Sequence, residues 1–260
     1  IKINEVIIEK ANFSLSNDNF NMLYKNSNDK FPKKRIKILN SNIFFKNTIN
    51  EIISIVKISS AFLFFDEKNL FNLFDLKGEI FNIPFQLKYR NILDTEKKIE
   101  IKAPDLKLKV INKIFKINEN TSNGINNILI LNSSINTRYN TKDQIIIFQS
   151  DISRVSNSKM NYTGQLSINP FDLNLIVDVT DYKISNLLKL NSIIDEFIRS
   201  GLLFNENISV RTLINIKSKI KNEIFHDAKI VIKILNGRIN FDKSVFINND
   251  IGLLEITNSN

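Results

Sequence analysis

Apolar and polar residues alternate singly along much of this chain. Phe171, Leu173, Leu175, Val177 and Val179 are interleaved with Asp172, Asn174, Ile176, Asp178 and Thr180. A period of two predicts a half-buried strand with one apolar face. Ile208, Val210, Ile214 and Ile216 predict another, with Thr212 on the same face. Ile230, Ile232 and Ile234 predict a third, opposed by Lys229, Val231 and Lys233. Ile99, Ile101 and Ala103 face away from Lys98, Glu100 and Lys102, and Leu106, Leu108 and Val110 from Lys107 and Lys109. Residues 36–46, 49–58 and 60–66 predict strands with weaker alternation. β-Branched and aromatic side chains suit a pleated surface and agree with this reading.

One segment changes period. Ile184, Leu187, Leu188, Ile193, Ile194, Phe197, Ile198 and Leu202 recur at three- and four-residue steps. This predicts an amphipathic helix over 185–200, with Ser185 as its N-cap and Gly201 as its stop. Glu67–Leu73 predicts a short helical turn. Asn118–Asn127, with its Asn123-Gly124 dipeptide, predicts a loop.

A local pattern occurs twice. Gly78-Glu-Ile-Phe-Asn-Ile-Pro84-Phe85-Gln-Leu87 matches Gly164-Gln-Leu-Ser-Ile-Asn-Pro170-Phe171-Asp-Leu173, with the same separation of Gly, Pro-Phe and Leu. The chain holds only 6 Gly and 4 Pro, so the coincidence of two of each points to an internal repeat. Pro cannot donate to a ladder, so each copy predicts a hairpin in which Gly opens one strand, Pro marks the turn and Phe starts the return. Asn236-Gly237-Arg238-Ile239-Asn240-Phe241 is a weaker third echo. The expected organisation is one repeating β-rich domain over 1–260, with repeat cores at about 60–110 and 146–241 and the helix inserted.

Composition narrows the chemistry. No Cys is present and His226 is the single histidine, so thiol catalysis, disulfide scaffolds and Cys or His-pair metal sites are excluded. With so few glycines, a Gly-rich phosphate loop has no material. The 260 residues carry a net charge of +9. About 46 Ile and 40 Asn accompany the many Lys and Phe, all favoured by AT-rich codons. Much of the charge is therefore compositional. Lys33-Lys34-Arg35 has no interleaved stacking aromatics, and no nucleic-acid partner is expected. Contact with anionic lipid headgroups fits the charge better. Asp195-Glu196 reads as the solvated face of the helix, and His226 as a structural residue. No catalytic arrangement, metal site or cofactor is expected. The chain starts without Met and reads as a fragment or processed product.

Taken together, Gly-x5-Pro-Phe, the amphipathic segment, Arg199-Ser200-Gly201-Leu202-Leu203 and Leu235-Asn236-Gly237-Arg238-Ile239-Asn240-Phe241 resemble the AsmA-like family of bacterial envelope proteins. The resemblance is closest over 160–260, weaker over 60–110, and reaches only compatible strands before that. It implies a non-enzymatic periplasmic protein tethered to the inner membrane, built as an elongated, curled antiparallel β-sheet with a hydrophobic groove. It also implies a part in lipid transport and outer-membrane biogenesis or homeostasis, with phospholipid acyl chains and envelope membranes or membrane proteins as partners.

The residues give an argument of similar shape. Many strands present one apolar face each, and one helix cannot cover them all. Burial is worth roughly 25 cal/mol per Å², so the remaining faces must cover each other or line a groove filled by something apolar. The expected groove lining is Phe85, Leu87, Tyr89, Phe171, Leu173, Leu175, Val177, Val179, Ile230, Ile232 and Ile234. The alternative is a structural or adhesive β-sandwich surface domain that closes its apolar faces internally. A transmembrane barrel ranks below both, because Lys recurs on strand faces and the aromatics are not banded.

Overall fold

The computed structural model describes residues 5–16, 29–46, 50–92, 95–118, 120–167, 170–185, 206–218 and 223–259. These residues are mainly β: 19 strands and one turn of 3-10 helix at Pro104–Leu106. Among them, no helix is long and apolar enough to cross a membrane. The predicted helix over 185–200 lies outside the described residues, apart from Ser185. The chain divides into two compact units, residues 1–119 with 124–131, and residues 132–260 with 120–123. The repeat core at 60–110 falls in the first and that at 146–241 in the second.

In the first unit β1 (Glu5–Glu9) and β2 (Asn12–Leu15) run end to end, both parallel to β3 (Arg35–Lys46). An antiparallel meander follows through β4 (Ile52–Asp66), β5 (Phe71–Ile80), β6 (Ile83–Ile92), β7 (Glu96–Ala103) and β8 (Leu108–Lys116). The segments 49–58 and 60–66, read as two strands, form the single strand β4. The register of β4 against β5 shifts between Ile58 and Ser60. The extra residue inverts the alternation, so Val56 and Ile58 share a buried face with Ala61 and Phe65.

β9 (Thr121–Ile130) overturns the predicted loop at 118–127. Gly124 is buried inside the strand, and Ile128 and Ile130 continue its inward set. Asn is so frequent in this chain that its turn preference carried too much weight. The predicted helical turn at Glu67–Leu73 is a plain turn over 67–70, after which β5 begins.

The second unit begins with β10 (Ser133–Lys142), which pairs with β11 (Ile145–Ser150) and its short continuation β12 (Ser153–Val155). Both pair with β13 (Ser158–Ser167), and β13 pairs with β14 (Phe171–Thr180). β15 (Ile208–Lys217) lies parallel to β14. β16 (Asp227–Leu235) is antiparallel to β15, and is flanked by β17 (Arg238–Asn240) and β18 (Ser244–Asn248). β19 (Gly252–Ile256) closes the series against β18. The 19 strands form one sheet, which is therefore mixed and not purely antiparallel. A parallel pair needs a crossover of a dozen or more residues. β14 ends at Thr180 and β15 begins at Ile208, a separation in sequence that meets this requirement.

The repeated hairpins are real strand pairs with a geometry other than the one read from the sequence. Gly78 lies near the end of β5, the turn is Phe81-Asn82 with both φ positive, and Pro84 already belongs to the return strand. Positive φ at both central residues is the twist-matched two-residue turn. Pro84 pairs with Glu79, and Gly78 with Phe85. In the second copy Gly164 pairs with Leu175, and Pro170 precedes β14. The equivalent residues thus sit in different registers, because the second turn is longer. What the two glycines share is close backbone approach. A Cβ on Gly78 would stand 2.5 Å from the Lys57 carbonyl oxygen, and one on Gly164 2.5 Å from that of Asn174.

Candidate functional site: the apolar sheet faces

Each unit presents one apolar sheet face. In the first, pairing aligns Val56 with Ile80, Ile58 with Gly78 and Ala61 with Leu76. The same face continues through Phe85, Leu87 and Tyr89 on β6, then Ile99 and Ile101 on β7, then Val110 on β8. Ile58, Ala61 and Leu76 form a buried cluster with Ile38, Ile43, Phe74 and Phe85 packed against it. Burial is uneven along this face. Val56, Ile58, Ala61, Phe65 and Leu76 are buried, whereas Phe85, Leu87, Tyr89, Ile99, Ile101, Leu108 and Val110 are all only half-buried.

Residues 29–32 cross one end of this face. Asn72 is fully buried and holds them through both ends of its amide. Its Nδ2 donates to the Asp29 carbonyl at 2.7 Å, and its Oδ1 accepts from the Phe31 N–H at 2.8 Å. The Phe65 N–H donates to the Pro32 carbonyl at 2.9 Å. The Phe31 ring reaches Tyr89 at 6.5 Å between centroids, and the Lys30 ammonium sits 3.9 Å from the centre of the Phe65 ring. This strap escaped the sequence reading, because a buried Asn is inconspicuous in an Asn-rich chain.

The reverse face of the first unit is charged. Lys57 pairs with Glu79 at 2.9 Å, Lys88 with Asp75 at 3.5 Å and Lys102 with Glu100 at 3.2 Å. The hydrogen bond from Lys102 holds the Glu100 carboxyl below its ordinary range, aided by the charges of Lys102, Lys109 and Lys98. Exposed pairs of this kind add little stability. They mark the polar side of a sheet with one apolar face.

The second unit brings most of the expected lining residues into one lattice. Four rows run in register across β14, β15 and β16: Leu173, Val210 and Ile234; Leu175, Thr212 and Ile232; Val177, Ile214 and Ile230; Val179, Ile216 and Ala228. Val177, Val179, Ile216 and Ala228 join Met160, Tyr162, Tyr182 and Ile184 in a buried cluster, with Phe225 and Phe246 packed on it. Toward the other end the cover thins: Leu173, Leu175, Ile230 and Ile232 are half-buried and Phe171 is exposed, although Ile234 is buried against β17. Val177, Val179 and Ile234 thus sit in a packed core, and the open part of this face is its Phe171 end. Phe85, Leu87 and Tyr89 belong to the face of the other unit.

Polar groups pin the covered end. Tyr162 Oη donates to the Asn136 carbonyl at 3.0 Å and lies 2.7 Å from Thr137 Oγ1. Ser158 Oγ donates to the Asp181 carbonyl at 2.8 Å. Ser185, expected as an N-cap, bonds through its N–H and its hydroxyl to the Glu223 carboxylate at 3.2 and 3.0 Å. His226 is half-buried, and its Nδ1 is buried without a hydrogen-bond partner. Among the described residues no three of His, Asp and Glu are placed to hold a metal ion.

No family model matches the chain, and no curated protein matches it significantly. Any functional reading therefore rests on the faces themselves.

Proposed function

We propose that this chain is a non-enzymatic lipid-binding or lipid-conducting protein of AsmA-like kind, acting in the bacterial periplasm from an inner-membrane tether. The observation that carries the reading is the β6–β8 half of the first apolar face. It runs in register from Phe85, Leu87 and Tyr89 through Ile99 and Ile101 to Leu108 and Val110, and these large side chains all stay part-exposed. A soluble sheet gains by covering such a strip, since exposed apolar area costs roughly 25 cal/mol per Å². Acyl chains lying along it would remove that cost without any chemical step. The Phe171 end of the second face supplies a comparable surface, with Leu173 and Leu175 beside it.

In this reading the headgroups stay at the polar margins, where lysines are frequent, and transfer is passive sliding along inward-facing side chains. The test is native mass spectrometry with lipid extraction on the protein purified from bacterial envelopes. Co-purifying phospholipid is expected, reduced by Leu87→Glu together with Ile101→Glu. Protein free of lipid, or lipid retained unchanged by that double variant, would overturn the proposal.

A further inference from the structure

The reverse face of the second unit carries a feature that the apolar lining does not explain. Three residues interrupt the polar set on successive strands. Ile176 stands among Asp172, Asn174, Asp178 and Thr180; Leu213 among Ser209, Arg211, Asn215 and Lys217; Val231 between Lys229 and Lys233. The three are in register, Ile176 beside Leu213 and Leu213 beside Val231. Strand spacing makes this a stripe about 10 Å long. A groove of about 950 Å³ runs over the stripe and on across β13, β11 and β10, past Thr163 and Gln149 to Ile147 and Arg138. Ile176 and Ile147 are 47% and 60% exposed, which puts apolar surface in water along its length.

Cross-strand apolar neighbours stabilise any sheet. That accounts for the contact between the three residues, but not for the groove or the cations beside it. One flanking row is Asn174, Arg211 and Lys233; the other is Asp178, Asn215 and Lys229. The nearby carboxylates are engaged elsewhere, Asp242 by Asn240 and Ser259 among them. Asp172 holds Arg211 at 3.0 Å, Asp151 holds Arg138 at 2.8 Å, and Asp178 accepts from Asn215 Nδ2 at 2.8 Å. Lys229 and Lys233 make no ion pair among the described residues. They flank Val231 about 13 Å apart along the strand, a gap that two lysine side chains can close from both sides.

We propose that this groove binds a free, single-chain anionic amphiphile. The alkyl chain lies over Val231, Leu213 and Ile176 toward Ile147, and the phosphate or carboxylate sits between Lys229 and Lys233. An apolar floor with two lysines outside any ion pair at one end, of which Lys233 also acts through its charge on Asp242, matches a ligand with one tail and one negative head. A nucleic acid or inorganic anion would leave the stripe in water. The site lies on the face opposite Val177 and Ile216, so it stands or falls independently of the phospholipid reading.

The experiment is methyl NMR of the full chain titrated with dodecyl phosphate below its micelle concentration. Saturable shifts are expected at the methyls of Ile176, Leu213 and Val231, and none with inorganic phosphate. Lys229→Ala with Lys233→Ala should weaken binding about tenfold, the scale of a lost charge-assisted contact. Leu213→Asn, on a part-exposed face, should abolish it. An unchanged affinity in the lysine double variant would overturn the proposal, as would shifts centred on Val177 and Ile216. So would binding to phosphatidylglycerol vesicles without binding to the monomer.

Discussion

The ring of Phe148 occupies the space that a side chain at Gly164 would need: a Cβ there would stand 2.5 Å from Phe148 Cζ as well as 2.5 Å from the Asn174 carbonyl oxygen. An aromatic on a neighbouring strand thus covers a glycine in the sheet, shielding backbone that has no side chain of its own. Gly164→Ala should destabilise the second unit by about 2–3 kcal/mol, as overpacking does. Gly78→Ala should cost about 1–2 kcal/mol in the first unit, because the only atom closer than 3.0 Å is the Lys57 carbonyl oxygen beside the β4 bulge, with Leu76 Cδ2 next at 3.3 Å. Urea unfolding of both variants checks this, and wild-type midpoints would refute it.

Asn72 ties residues 29–32 to the first unit. Asn72→Ala leaves the Phe31 N–H and the Asp29 carbonyl without their partner and should cost about 2–3 kcal/mol. Hydrogen exchange reads the local effect. The Phe31 amide should lose its protection, while amides in β8, two strands beyond Tyr89, keep theirs.

The two halves of the first apolar face should respond differently to charge. Ile58→Glu places a carboxylate in the buried cluster and should unfold the unit, since an unpaired buried charge costs several kcal/mol. Ile101→Glu, at a half-buried position, should cost about 1–2 kcal/mol and act mainly on lipid content. Thermal unfolding beside lipid extraction separates the two effects. Equal destabilisation would mean that the β6–β8 half is packed as tightly as the β4–β5 half.

Asp242 gathers residues near the C-terminus. Asn240 Nδ2 donates to one of its oxygens at 2.9 Å, and the Ser259 N–H and hydroxyl donate to the other at 2.7 and 2.9 Å. These bonds, Asn240 first, hold the Asp242 carboxyl below its ordinary value. A depressed carboxyl stabilises the folded contact fully above the ordinary carboxylate pKa, and that contribution is lost as pH falls through the depressed value. The Ser259 amide resonance should therefore titrate with an acid midpoint below that of a free aspartate, and Asp242→Asn should abolish the transition. A Ser259 shift that is flat down to strong acid would contradict this.

The strands were legible where alternation was strict. β14, β15 and β16 follow the apolar sets read at 171–179, 208–216 and 230–234 almost residue for residue. Periodicity failed at the β4 bulge, where one extra residue inverted the phase. It failed again at Asn123-Gly124, where composition imitated a turn. Strand direction was hidden too, since a period of two is the same in parallel and antiparallel pairs. The apolar faces could be named from sequence, but their cover could not. Tyr182, Ile184, Phe225 and Phe246 come from outside the alternating runs or from other strands. Ile176, Leu213 and Val231 were each visible as an exception, and only the register aligned them.

The parallel pairing of β14 with β15 also divides the second unit into two assembly steps. From β10 to β14, and again from β15 to β19, strands are antiparallel and joined by short connections, so each half can pair through local contacts. The seam between them joins residues 37 positions apart, Phe171 to Ile208, and its closure carries the larger loop entropy. A polypeptide cut between β14 and β15 would leave every antiparallel ladder intact and ask only that the seam re-form, which makes this unit a candidate for reconstitution from two separately made halves.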